Sequence, residues 1–170
     1  TLFPYTTLFR SDFNPKKELI IAGRFNGSII WSAKDSFVSK GNDDLFIALC
    51  NSDGQTIWNK QIGSMKLDRL VTIAVDLSYN VWTVGSYGES CDLNPGPPVF
   101  NLGFAGISDG FVSKLNYLGE FVGATSISSS RDDIVSTINI LKNEVVFCGI
   151  MGDSVKFKLA HSTHTLKSKN

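Results

Sequence analysis

Histidine occurs only twice in the 170 residues, methionine twice and cysteine three times. Basic and acidic residues balance at 16 each, so the chain lacks the cationic excess that a nucleic-acid or anionic-membrane binder needs. No apolar run approaches the ~20 residues of a membrane-spanning helix. There is no Cys-x-x-Cys pair, which excludes zinc-finger and thioredoxin-type chemistry. Neither phosphate-cradling pattern, Gly-x-x-x-x-Gly-Lys-Ser/Thr or Gly-x-Gly-x-x-Gly, is present.

What the chain does have is the material of strands and turns. Glycine (15 residues), serine, asparagine and aspartate are plentiful, and 11% of the residues are aromatic. With abundant Val, Ile and Thr, this composition points to an all-β chain of about one domain. The charge is uneven. Setting aside Arg10 and the four lysines of residues 156–170 leaves 11 basic against 16 acidic residues. The folded part is therefore mildly acidic, and residues 160–170 read as a solvated basic tail.

Three segments align on their glycines. They are Glu18-Leu-Ile-Ile-Ala-Gly23, Asn80-Val-Trp-Thr-Val-Gly85 and Asn143-Glu-Val-Val-Phe-Cys-Gly149, with glycines 62 and 64 residues apart. Asp44-Leu-Phe-Ile-Ala-Leu-Cys-Asn51 matches Asp109-Gly-Phe-Val-Ser-Lys-Leu-Asn116 at a spacing of 65. Leu70–Leu77 likewise matches Ile134–Leu141. Within one unit, residues 70–77, 80–87, 108–116 and 119–127 read as four short strands bounded by turn residues. Asp76–Asn80 and Asn116–Gly119 read as hairpin connections. A helix does not fit, because Gly or Asn interrupts each apolar run too early.

A four-stranded antiparallel unit of about 64 residues has the dimensions of a long propeller blade. The expected fold is all-β, a partial β-propeller of about two and a half four-stranded antiparallel blades. Its expected segments are an incomplete first blade of three strands at 18–69, a complete blade at 70–133, and the start of a further blade at 134–159. Asp153–Leu159 is the candidate third strand of that last blade.

Two resemblances bear on origin. Thr1–Ser11, TLFPYTTLFRS, resembles a translated sequencing adapter residue for residue, so 1–11 is set aside from fold reasoning as an artefact. The succession Ile73-Ala-Val-Asp76, Asn80-Val-Trp-Thr-Val-Gly85, Asp92-Leu-Asn-Pro-Gly96, Val99-Phe-Asn-Leu102 and Ser108-Asp-Gly-Phe-Val-Ser-Lys-Leu115 resembles the SBBP-type β-propeller repeat. It departs from that pattern at Gly123, where Trp58 stands one unit earlier, at Asn139-Ile140, and at Tyr79, where a turn glycine is usual. The resemblance implies a secreted or cell-surface bacterial protein of which this chain is a fragment, with further blades on both sides.

Candidate chemistry is sparse. His161 and His164 lie in the basic tail with no nearby carboxylate or cysteine, and read as solvated rather than as metal ligands. Cys50 and Cys148 sit in strand-like runs and read as buried thiols, whereas Cys91, in the long loop, reads as the exposed one. Asp92-Leu-Asn94 and Asn51-Ser-Asp53 offer too few oxygens for calcium and are explained as turns. Trp31, Trp58, Trp82 and Phe111 read as packing residues. No catalytic, cofactor-binding or metal residue is assigned, and no cofactor is expected. The candidate ligand-binding loop is Gly88–Ile107, with Asp92, Asn94, Phe100 and Phe104 offering oxygen atoms and aromatic faces to a protein or glycan. The expected function is a non-enzymatic structural or binding module of the bacterial exterior. The alternative is the accessory propeller domain of a larger extracellular enzyme.

Overall fold

A computed structural model describes residues 9–32, 35–142, 144–159 and 162–167. The protein is all-β, with no helix among the described residues. The first sheet has the order β1-β2-β5-β6, from Phe9–Phe13, Leu19–Phe25, Asp44–Cys50 and Thr56–Ile62. A hairpin, β3 (Ser28–Ser32) with β4 (Asp35–Val38), interrupts it after β2. The second sheet repeats the plan. β7 (Arg69–Val75), β8 (Val81–Tyr87), β11 (Asp109–Leu115) and β12 (Phe121–Ile127) lie in the order β12-β11-β8-β7. A two-residue ladder, β9 (Cys91–Asp92) with β10 (Asn101–Leu102), interrupts it after β8. All strand pairs in these sheets are antiparallel. β13 (Ile134–Leu141) pairs with β14 (Glu144–Ile150), and β15 (Val155–Leu159) pairs with β16 (Ser162–Leu166).

Three of these findings differ from the sequence reading. The first sheet has a fourth strand, because residues 9–13 pair with β2 from Phe9↔Gly23 to Phe13↔Leu19. Part of the stretch set aside as 1–11 thus joins the sheet. Ladder hydrogen bonds are made by main chain, so an edge position accepts almost any sequence. Second, Val155–Leu159 is not a third strand beside β14, since it pairs with β16 alone. Third, Ser162–Leu166 of the expected tail is a strand. His161 lies outside the described residues, as does the side chain of His164.

Four turns share one mechanism. A side-chain oxygen of Asn14, Asn51, Asp76 or Asn116 accepts hydrogen bonds from the backbone N–H groups two and four residues on. The fourth residue of each turn, Lys17, Gly54, Tyr79 or Gly119, is left-handed, with φ between 62° and 78°. Tyr79 thus bears a conformation glycine adopts more cheaply. Its ring meets Tyr117 of the neighbouring turn at 5.8 Å. The Lys16 ammonium lies 4.2 Å from the Tyr117 ring centre.

The sheets pack face to face through alternating residues. Ile20, Ala22, Leu45, Ile47 and Leu49 of the first sheet meet Leu70, Ile73, Val81, Tyr87, Phe111 and Leu115 of the second. Cys91, Leu93 and Leu102 of the interrupting ladder close the same cluster. Cys91 is only 1% exposed, contrary to expectation, and burial pushes its thiol pKa up. The other face of the second sheet, with Val84, Val112 and Ile127, packs on Val135 and Ile138 of β13. The outer face of the first sheet, with Ile21, Phe25, Phe46, Ala48 and Cys50, is covered by Ile29, Trp31 and Phe37 of the β3–β4 hairpin. The sequence reading places Cys148 in a buried run; it is exposed, on a strand most of whose residues are exposed.

Candidate functional site

The connection from Gly88 to Ile107 is built by its own polar side chains. Asp92 Oδ1 accepts from the Asn94 N–H at 3.0 Å and from the Phe100 N–H at 2.8 Å, pinning the two limbs together. Asn94 Oδ1 accepts from the Gly96 N–H at 3.0 Å, and its amide donates to the Pro98 carbonyl at 2.5 Å. Leu93 between them is fully buried among the sheets. Asp92 and Asn94 therefore shape the loop, and these bonds occupy Asp92 Oδ1 and both ends of the Asn94 amide. They position a Pro-rich tip, Pro95–Val99, with a cis peptide between Pro97 and Pro98.

Phe100 and Phe104 do not meet. Phe100 lies 4.8 Å from Phe121, ring centre to ring centre, while Phe104 lies 6.3 Å from Tyr87. Phe121 is opposite Leu115 and Tyr87 is opposite Asp109, the two ends of β11. Six residues of strand separate those positions by roughly 20 Å. Both rings are 38% exposed.

The loop tip and the β11–β12 turn enclose a groove of about 470 Å³, lined among others by Lys60, Pro97, Val99, Phe100, Glu120 and Phe121. One Glu120 carboxylate oxygen accepts from Asn116. An aromatic pair flanked by a cation and an anion suits stacking against an apolar sugar face or an aliphatic side chain. Lys60, Glu120 and Phe121 were not singled out from the sequence, because their neighbourhood depends on how the loop folds back. A second cleft, about 450 Å³, lies at the junction of β7, β8, β13 and β14, with Leu67, Arg69, Ile107, Asp132 and Ile150 among its lining.

The buried carboxyls are structural. Asp68 accepts from the Ser64 N–H at 2.6 Å and the Ser64 hydroxyl at 3.0 Å, and burial pushes its pKa up to about 7. Asp133 repeats the clamp, accepting from the Ser129 N–H at 2.6 Å. Asp44 and Asp109 start β5 and β11, and accept from the N–H groups of Lys40 and Ala105. All four aspartates are almost fully buried and give solvent no access to their oxygens. Asp76 behaves oppositely. Burial opposes its charge, but hydrogen bonds from Trp82, Asn80 and Ser78 outweigh it and lower the pKa.

Gly106-Ile107-Ser108-Asp109-Gly110 matches the Gly-x-Ser-x-Gly pattern, a correction to the sequence reading, which takes that pattern to be absent. The pattern carries chemistry when the serine tops a strand-to-helix turn beside a histidine. Here Ser108 precedes a strand, and its hydroxyl donates to Asp132 Oδ1 at 3.1 Å. No histidine is hydrogen-bonded to it among the described residues. No cluster of three or more His, Cys, Asp or Glu suited to a metal occurs among the described residues. Nor is any helix there long and apolar enough to cross a membrane, which says nothing of strand-built spans. No family model matches the chain, and no curated protein matches it.

Proposed function

We propose that the chain is a stretch of a repeat-built β-propeller of the SBBP type, acting as a non-enzymatic structural or binding module on the bacterial exterior. Its partners are the remaining blades and a protein or glycan that approaches through the loops between second and third strands. The observation that carries this reading is the recurrence of one four-stranded plan with its first strands side by side. β1 neighbours β7, where Asp12 accepts from the Val75 N–H at 3.1 Å. β7 in turn neighbours β13. First strands gathered together, with sheets packed face to face, support a reading as blades around an axis.

The test uses the whole chain on a glycan array and against bacterial surface extracts, beside a Lys60→Ala/Phe100→Ala variant. The expected result is a loss of binding of at least tenfold, with an unchanged melt. Unchanged binding with an intact melt removes the loop groove. Hydrolytic turnover traceable to residues 18–150 overturns the non-enzymatic reading.

A further inference from the structure

Among the described residues, strand β14 is paired on one side only, by β13. Its counterparts are paired on both: β2 by β1 and β5, β8 by β7 and β11. The correspondence is fixed by register. Gly85 lies opposite Leu70 beside a bulge between Leu70 and Thr72, and Gly149 lies opposite Val135 beside a bulge between Val135 and Thr137. A Cβ at either glycine would strike the carbonyl oxygen of the same neighbour in the pair, Arg69 at 1.8 Å or Ile134 at 2.1 Å.

The hairpin that follows β14 does not take the open edge. Ile29, Cys91 and Val155 each stand four residues beyond matching positions, Phe25, Tyr87 and Met151, and all three are buried. β15–β16 is therefore the counterpart of β3–β4 and β9–β10, the excursion that precedes the third strand. Along β14, Val146, Phe147 and Ile150 are 43%, 39% and 67% exposed.

A cavity marks what belongs there. Gly23 and Gly85 each face a phenylalanine across the ladder, Phe46 and Phe111, both essentially fully buried. Among the described residues Gly149 has a ladder partner on the β13 side alone, Val135, and no phenylalanine faces it across a ladder. Instead an apolar cavity of about 200 Å³ lies there, lined by Ile127, Val135, Phe147, Gly149, Met151 and Leu166 among others. Strand register makes Leu70 the counterpart of Val135, one residue beyond its sequence match Ile134; Ile62, Leu70 and Tyr87, the counterparts of Ile127, Val135 and Met151, share one cluster with Phe111.

We propose that the free edge of β14 is a docking site for one antiparallel strand of the β5/β11 type, whose third residue, a phenylalanine, enters the cavity beside Gly149. The strand's leading aspartate falls opposite Met151 and its seventh residue opposite Val145. Main-chain hydrogen bonds supply affinity and the ring supplies register, as in other strand-addition interfaces. The proposal rests on the repeat reading above and names the chemistry of the piece that completes the third sheet.

The probe is a synthetic peptide with the chain's own sequence 108–127, beside the same peptide carrying Phe111→Ala. Hydrogen exchange of the full chain is read by segment. The expected result is at least tenfold slower exchange across 145–151 with the first peptide, and most of that slowing lost with the second. Unchanged exchange at 145–151 while 81–87 and 109–115 stay protected overturns the docking site and leaves the stacked-sheet reading intact. Fast exchange at 81–87 itself overturns both. Equal slowing by both peptides overturns the phenylalanine pocket. Slowing that rises with chain concentration alone, without peptide, assigns the edge to a second copy and overturns the proposed occupant.

Discussion

Asp44 and Asp109 hold corresponding places, yet their oxygens fare differently. Asp44 Oδ2 receives the Gln61 amide at 2.6 Å, while Asp109 Oδ1 is buried with no partner. The residue matching Gln61 is Ser126, too short to reach, and the residue matching Phe25 is Tyr87, whose hydroxyl donates to the Gly103 carbonyl at 2.7 Å. The second unit has exchanged one arrangement for another and left Asp109 under-bonded, with its pKa raised mainly by burial. A cycle of Tyr87→Phe, Ser126→Gln and the double variant is expected to show favourable coupling of about 1 kcal/mol in denaturant melts. The phenylalanine makes room for the glutamine to reach Asp109. A second residue-scale expectation concerns Asp68, whose pKa rises from 3.8 to about 7 on folding. Between those values the folded chain keeps a proton that the unfolded chain has released. Its contribution to stability is therefore complete below pH 3.8 and is lost as pH rises through about 7. Melts of Asp68→Asn from pH 4 to 8 should lose this slope. The variant should gain on the parent as pH rises; a constant difference would refute the shift.

At the scale of elements, the hairpin turns decide register. Asn116 Oδ1 takes the N–H groups of Leu118 and Glu120 at 2.9 and 3.0 Å, and the Asn116 backbone closes the turn onto Glu120 and Gly119. Its side chain also joins Glu120, which lines the candidate groove. Asn116→Ala is expected to cost about 1–2 kcal/mol by denaturant melt. It should also weaken whatever the groove binds, without touching a ligand itself. The turns Asp76–Asn80 and Asn116–Gly119 were legible from composition, because Asn, Asp and Gly there leave few other conformations. The equivalent turn at Asn14 was not, since Lys17 at its left-handed position carries no such signature. The loop residues were legible as a loop and not as a site. Asp92 and Asn94 look like ligands in a string of letters, and only the folded chain shows them bonded to Phe100, Gly96 and Pro98.

For the whole molecule, the two ends differ. The outer face of the first sheet is capped by the β3–β4 hairpin, though Ile30 and Val38 on that hairpin remain exposed. At the other end most of β14 is exposed. Removing residues 1–11 takes part of β1 from the edge of β2 and the Arg10 bond to Val71 from the junction with β7. The shortened chain is expected to bind more of a dye specific for exposed apolar surface and to melt at lower temperature. Equal dye binding and an equal melt would show that β1 contributes nothing to the first sheet.

The sequence by itself determined the strand content, the repeat offset near 64 residues and most of the turns. Those are local properties, set by β-branched and aromatic runs and by residues that tolerate left-handed backbone. Only the tertiary structure decided which strands share a sheet and which thiol is buried. It also decided that Phe100 and Phe104 are held apart, and that the hairpin after β14 is an excursion rather than a third strand. Those outcomes turn on main-chain pairing and face-to-face burial between distant segments. Such interactions place few demands on the identity of any one residue, so they leave little trace in the order of residues.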